Sequence, residues 1–122
     1  MKMNSIEKFL SEIKKIPEVM GVYLFGSYAK NETKLISDID LAVIVDNPSK
    51  EIEANIVSHS SKNLDIVLFH RLPLHIKYEV LKYGKELYVK DDDYMANVRL
   101  NIIKYYLEFS HIYRNIEAEV LK

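Results

Sequence analysis

Apolar residues recur at steps of three and four near the start of the chain, at Ile6, Phe9, Leu10, Ile13 and Ile16, behind Asn4 or Ser5 as a candidate N-cap. That period predicts an amphipathic helix over 5–15, ended by Pro17. The pattern then changes: Val19 to Phe25 is short, apolar and rich in strand formers, and it stops at Gly26, as a central strand would. Residues 27–37 are polar, with a short helix expected from Ser27. Asp38 to Val45 reads as a second strand, buried on both faces toward its end and closed by Asp46-Asn47-Pro48. A surface helix capped by Ser49 is expected over 49–60, and a third strand over Leu64 to Phe69. Pro73 opens a helix that runs to Tyr83 and is stopped by Gly84, and Glu86 to Val89 forms an edge strand. Behind Asp91-Asp92-Asp93, whose charges suit a helix start, Tyr94 to about Leu121 predicts one long or broken helix, with Asn97, Asn101 and Ser110 inside it.

This order predicts an α/β fold with a mixed sheet flanked by helices. At 122 residues the chain has room for one core, so a single domain over 1–122 is expected. Its 48% hydrophobic and 29% charged residues are ordinary for a soluble domain.

Charge and cysteine usage narrow the function classes. Seventeen basic residues against eighteen acidic ones leave a net charge of −1, so the whole-molecule field attracts neither nucleic acid nor an anionic membrane, and any phosphate binding must be local. The absence of cysteine removes disulfides, thiolate zinc sites and a cysteine nucleophile together, and fits a reducing compartment. Charges every few residues over 1–15 fit neither a signal peptide nor a membrane span, so a cytoplasmic location is expected.

The chemistry concentrates in five residues. Asp38 and Asp40 are two apart on a predicted strand, so both carboxylates leave one face while Ile39, Leu41 and Val43 take the other. Like charges held together need compensation, and paired hard oxygen donors suit Mg²⁺ or Mn²⁺. Asp65 adds a third carboxylate near the start of an apolar strand, where burial would cost desolvation. If the two acid-bearing strands are neighbours, the three acids can surround a pair of cations, with Asp65 as ligand and candidate proton acceptor. Gly26 and Ser27 end the first strand in a turn that can aim backbone N–H groups, a hydroxyl and a helix N-terminus at phosphate oxygens.

Each feature alone has a plainer explanation. Gly-Ser is a common turn, Asp38 and Asp40 could be solvated strand-entry residues, and Asp65 could pair with Lys62. His59, His70, His75 and His111 lack metal-binding spacing, and the Asp91 to Asp93 run suits a solvated helix start. Tyr105, Tyr106, Phe109, Ile112, Tyr113 and Ile116 form a stripe at helical spacing that is usually core, although on a domain this small it could face a partner. The combination of turn and acids carries the inference.

The segment GSYAKNETKLISDID, a Gly-Ser pair, ten residues and Asp-x-Asp, resembles the signature of the DNA polymerase β-like nucleotidyltransferase superfamily, and Asp65 matches its third acid. Lys30 and Asn31 depart from a frequent Arg-Gly, and Lys30 keeps the charge without arginine's bidentate fork. Length and the lack of a second domain resemble the minimal nucleotidyltransferases, including the MntA-like antitoxins of HEPN–MNT toxin–antitoxin pairs. The resemblance implies nucleotide contacts at Gly26 and Ser27, and catalytic metal ligands at Asp38, Asp40 and Asp65. It also implies ATP and a pair of Mg²⁺ ions, or Mn²⁺ in their place, with AMP passed to a tyrosine hydroxyl of a HEPN-type toxin. Two other readings stay open: transfer to a small hydroxylated molecule such as an aminoglycoside, and a non-catalytic nucleotide-binding antitoxin. Oligomeric state and nucleobase preference have no sequence signal.

Overall fold

The computed structural model describes residues 2–26 and 39–120. Helix α1 (Lys2–Ile13) leads into β1 (Val19–Phe25), followed by β2 (Ile39–Val45), α2 (Lys50–Val57), β3 (Leu64–Leu68), α3 (Leu74–Tyr83), β4 (Lys85–Val89) and α4 (Asp92–Val120). The sheet order is β3-β2-β1-β4. Strand β1 runs antiparallel to both β2 and β4, whereas β2 and β3 are parallel and joined across α2. The sheet is therefore mixed, with β1 inside it and β4 on an edge, as expected.

Two apolar layers sandwich the sheet. On one face Ile6, Phe9 and Ile13 of α1 and Ile56 of α2 pack against Val22, Ile39, Leu41, Val43 and Ile66. On the other, Val80 of α3 and Met95 and Ile102 of α4 cover Met20, Tyr23, Ala42 and Ile44. Burial on both sides explains why β2 lacks polar residues after Asp40. In β1 the faces do not alternate strictly: Val19 and Val22 share one layer while Met20 and Tyr23 share the other. The register against β2 steps from Val19–Val45 to Gly21–Ile44, and this bulge restores the inward aim of both sets.

Local signals set most boundaries. The Ser49 hydroxyl accepts the Ile52 N–H at 3.2 Å and caps α2 as expected. Asp91 Oδ1 accepts the Asp93 and Tyr94 N–H groups, so the acidic run does cap α4. Asn47 supplies a positive φ of 51° in the turn after β2. Helix α1 begins at Lys2, upstream of both Asn4 and Ser5, so neither is its N-cap. Phe69 leaves the β3 ladder for a 3₁₀ turn over Phe69–Arg71. Helix α4 is unbroken across Asn97, Asn101 and Ser110; its inner face is held by core packing, and outward-facing asparagines cost only their modest propensity. The helix expected from Ser27 lies outside the described residues.

Gly84 stops α3, as expected. Its φ is −70°, open to any residue, but a Cβ there would fall on the Val80 carbonyl oxygen and 3.1 Å from that of Leu24. Glycine is needed for close approach of α3 to β1. A polar clamp fixes α4: Arg99 donates to Glu86 at 2.6 Å and to the Tyr23 hydroxyl, which itself donates to Glu86 at 3.1 Å. Burial pushes the Tyr23 phenol above its usual range, so it remains a donor at neutral pH. Among the described residues, no helix is long and apolar enough to cross a membrane.

Gly84→Ala is expected to destabilise the fold by about 1–3 kcal/mol through overpacking, against about 1 kcal/mol for loss of the Ser49→Ala cap, as read from urea unfolding midpoints.

Candidate active site

The parallel ladder between β2 and β3 pairs Ile39 with Leu64, Asp40 with Asp65 and Leu41 with Ile66. Asp40 and Asp65 are thus direct neighbours, one strand spacing of about 4.8 Å apart in the backbone. Ile39, Leu41, Leu64 and Ile66 all enter the layer under α1 and α2, so by alternation both acids lie on the opposite face. The expected adjacency of the two strands is met. Asp65 is exposed and Asp40 half-buried. Asp65 therefore carries no heavy desolvation cost, contrary to the burial considered from its apolar strand.

Gly26 ends β1 beside this pair, since Phe25 is the register partner of Asp40. Its φ is +80°, and a Cβ would sit 2.5 Å from Asp40 Oδ2. Two independent constraints therefore demand glycine: a left-handed backbone and the space taken by the carboxylate. The turn and the acid motif, fourteen positions apart from Gly26 to Asp40, meet in space. Ser27 and Asp38 lie outside the described residues, as do Lys30 and Asn31.

Among the described residues no three metal-ligating side chains cluster. Asp40 and Asp65 nonetheless form a donor set that fits a hard divalent cation: two carboxylates on one face of neighbouring strands, with a side-chain-free residue against one of them. The histidines are engaged elsewhere. His59 pairs with Glu12 at 2.9 Å and packs edge-on to Phe9, and His70 contacts Glu53 at 3.0 Å. Arg71 meets the same Glu53 at 2.8 Å, and with His70 holds its carboxyl below the usual range. His75 and His111 are exposed.

Residues from α3 also reach the site. Ile76, Glu79 and Tyr83 line a cavity of about 210 Å³ together with Phe25 and Gly26. Sequence reasoning passed over them because they lie some fifty residues from the motif. Their i, i+3, i+7 spacing was the available signal, placing all three on one helical face.

The family model described as "Polymerase beta, Nucleotidyltransferase" matches residues 4–93, which takes in the turn, both described acids and α3. The chain belongs to this nucleotidyltransferase family. It is an enzyme of that class, in a family that generally uses a divalent metal. Two curated relatives agree. The chain is 31% identical over 103 residues, 84% of its length and 76% of the relative's, to a Methanocaldococcus jannaschii protein provisionally named a protein adenylyltransferase. It is also 31% identical over 100 residues, 76% of its length and 70% of the relative's, to the protein adenylyltransferase MntA of Shewanella oneidensis. The fold matches a chain in the solved structure of the tri-AMPylated Shewanella oneidensis HEPN toxin in complex with MNT antitoxin. The TM-score is 0.64 at 24% identity, covering 98% of this chain and 95% of that one.

For the nucleotidyltransferase, Gly26→Ala is expected to lower stability by about 1–2 kcal/mol through its left-handed backbone. Because the methyl group displaces the Asp40 carboxylate, Mn²⁺ affinity measured by electron paramagnetic resonance should fall about tenfold or more.

Proposed function

We propose that the chain is a protein adenylyltransferase that transfers AMP from ATP to a tyrosine hydroxyl of a cognate HEPN-type toxin and thereby acts as its antitoxin. The observation that carries this reading is the register pairing of Asp40 with Asp65 beside Gly26, in a chain related to protein adenylyltransferases. In it, Asp38, Asp40 and Asp65 hold divalent cations, two Mg²⁺ ions or Mn²⁺ in their place. Gly26 and Ser27 receive the triphosphate.

Cations bound to those carboxylates would neutralise phosphate charge and lower the pKa of the acceptor hydroxyl. The chain's own residues do the rest. The Gly26 turn orients the phosphates, and an Asp65 carboxylate oxygen accepts the tyrosine proton. The phenolic oxygen forms a bond to the α-phosphorus as the bond to the bridging oxygen breaks, and pyrophosphate leaves with that electron pair.

A protein acceptor suits the outer surface of α4. Leu100 and Leu107 are 66% and 61% exposed, and with Ile103 they repeat at i, i+3, i+7. Tyr105, Phe109 and Ile112 are also more than half exposed, so this part of the stripe is not core as its spacing suggested. The row of Leu100, Ile103 and Leu107 is exposed apolar surface of the kind that marks interaction sites. Cytoplasmic location and a single domain over 1–122 belong to the same reading.

Incubation with labelled ATP, Mg²⁺ and the folded toxin partner should place label on a partner tyrosine, and Asp40→Asn with Asp65→Asn should reduce it by at least about a thousandfold. Inhibition that survives the double substitution would favour a binding antitoxin, and label in a low-molecular-weight product a small acceptor. Leu100→Glu with Leu107→Glu should weaken partner binding about tenfold or more, by calorimetry, while thermal unfolding of the isolated chain changes little.

A further inference from the structure

Helices α3 and α4 lie side by side and run in opposite directions, and a groove follows their seam. At one end it passes between Leu81 and Lys82 of α3 and Arg99 and Ile103 of α4. At the other it passes between Leu74 and His75, at the start of α3, and Phe109 and Arg114 of α4. The rings of Tyr78 and Tyr106, stacked 3.9 Å apart, join the two ends. Ile103 lines the groove and also belongs to the exposed row with Leu100 and Leu107, so that row is the groove's outer lip. Phe109 stands on the same helical face as the buried Ile102, seven positions on, yet is 60% exposed. The core face of α4 therefore runs on into the groove.

Cations stand at both ends of this apolar surface. Lys82 is on the α3 rim, where hydrogen bonding to Tyr83 and the nearness of Tyr78 raise its pKa, so it is charged at neutral pH. Arg114 is at the far end, with His75 across from it. Arg99 already donates to Glu86 and Tyr23, so Lys82 and Arg114 carry the charge that a ligand would meet. From Arg99 to Arg114, α4 rises about 22 Å, roughly four turns.

We propose that this groove receives one amphipathic helix of a protein partner, its apolar face on Ile103, Tyr106 and Phe109 and its acidic residues against Lys82 and Arg114. The proposal rests on the protein acceptor proposed above and says which kind of element in that protein docks here. Side chains one helical turn apart on α4 form ridges that the i, i+3 and i+7 positions of another helix fit, and a helix of about 15 residues reaches both cations. Two other occupants match the groove less well. Single-stranded nucleic acid stacks its bases on free aromatic faces, whereas the Tyr78 ring is stacked on Tyr106 and has the Lys82 ammonium 5.6 Å from its centre. A second copy docking by the same helix would bring its own Arg99 and Arg114 against these cations.

Fluorescence anisotropy with the full chain and three labelled probes tests this. Two are synthetic helical peptides of about 16 residues that share one leucine face and carry either glutamate or lysine beside it; the third is oligothymidylate. The glutamate peptide should bind about tenfold or more tighter than the lysine peptide, and high salt should shrink that difference. Lys82→Glu with Arg114→Glu should reverse the preference while thermal unfolding changes little, since both side chains are exposed. Ile103→Asp should weaken both peptides about tenfold. Equal affinities, no binding of either peptide, or a preference that survives the charge reversal would overturn the proposal. Tighter binding of oligothymidylate would overturn it in favour of nucleic acid, and dimerisation in sedimentation that Ile103→Asp abolishes would do so in favour of a second copy. Neither ATP nor metal enters these measurements, so a failure here leaves the transfer reading standing, and an unlabelled partner leaves the peptide result standing.

Discussion

The parallel pairing of β2 with β3 is the constraint on which the site depends. A slip of one residue along that ladder would turn Asp65 from the face of Asp40 to the face of Leu41, into the layer under α1 and α2. The register is therefore enforced by hydrophobic burial rather than by the acids themselves. Ile39, Leu41 and Val43 on one strand and Leu64, Ile66 and Leu68 on the other must all point into the same core. The apolar residues aim the polar ones. Packing that stabilises the domain and geometry that positions the carboxylates are one and the same arrangement.

The second apolar layer performs a different task. Helices α3 and α4 cover the face that bears the acids over Met20, Tyr23, Ala42 and Ile44. Two devices hold this cover in place. Gly84 permits backbone contact between the end of α3 and β1, and the Arg99–Glu86–Tyr23 clamp ties α4 to the two strands beside it. Both lie at the β1–β4 side of the sheet, away from Asp65 on β3.

Much of this was legible in the sequence, for identifiable reasons. Strands β1, β2 and β3 stood out because each is a short apolar run bounded by glycine or turn residues, and α2 because Ser49 stands at the right distance before it. Gly26, Asp40 and Asp65 could be singled out together, because each alone has a plainer explanation and their joint spacing does not. What escaped was long-range. The β1 bulge, the clamp on Tyr23, and the meeting of Ile76, Glu79 and Tyr83 with Gly26 all depend on elements distant in the chain. Gly84 was read correctly as a helix stop, and the steric reason for it emerges only from its contacts with Val80 and Leu24. The stripe on α4 was ambiguous in principle, because periodicity reports that a face is apolar and not what covers it.

At about 1.5 Å per residue, the 29 residues of α4 make a helix roughly 43 Å long, nearly twice the length of the seven-residue strands it crosses. Its outer row of Leu100, Ile103 and Leu107 is the kind of surface that drives self-association when left bare. On the reading proposed above, in which a protein partner covers that row, supply of this chain in excess of the partner would carry a solubility penalty, so that balanced synthesis of the two would be a physical requirement of the fold.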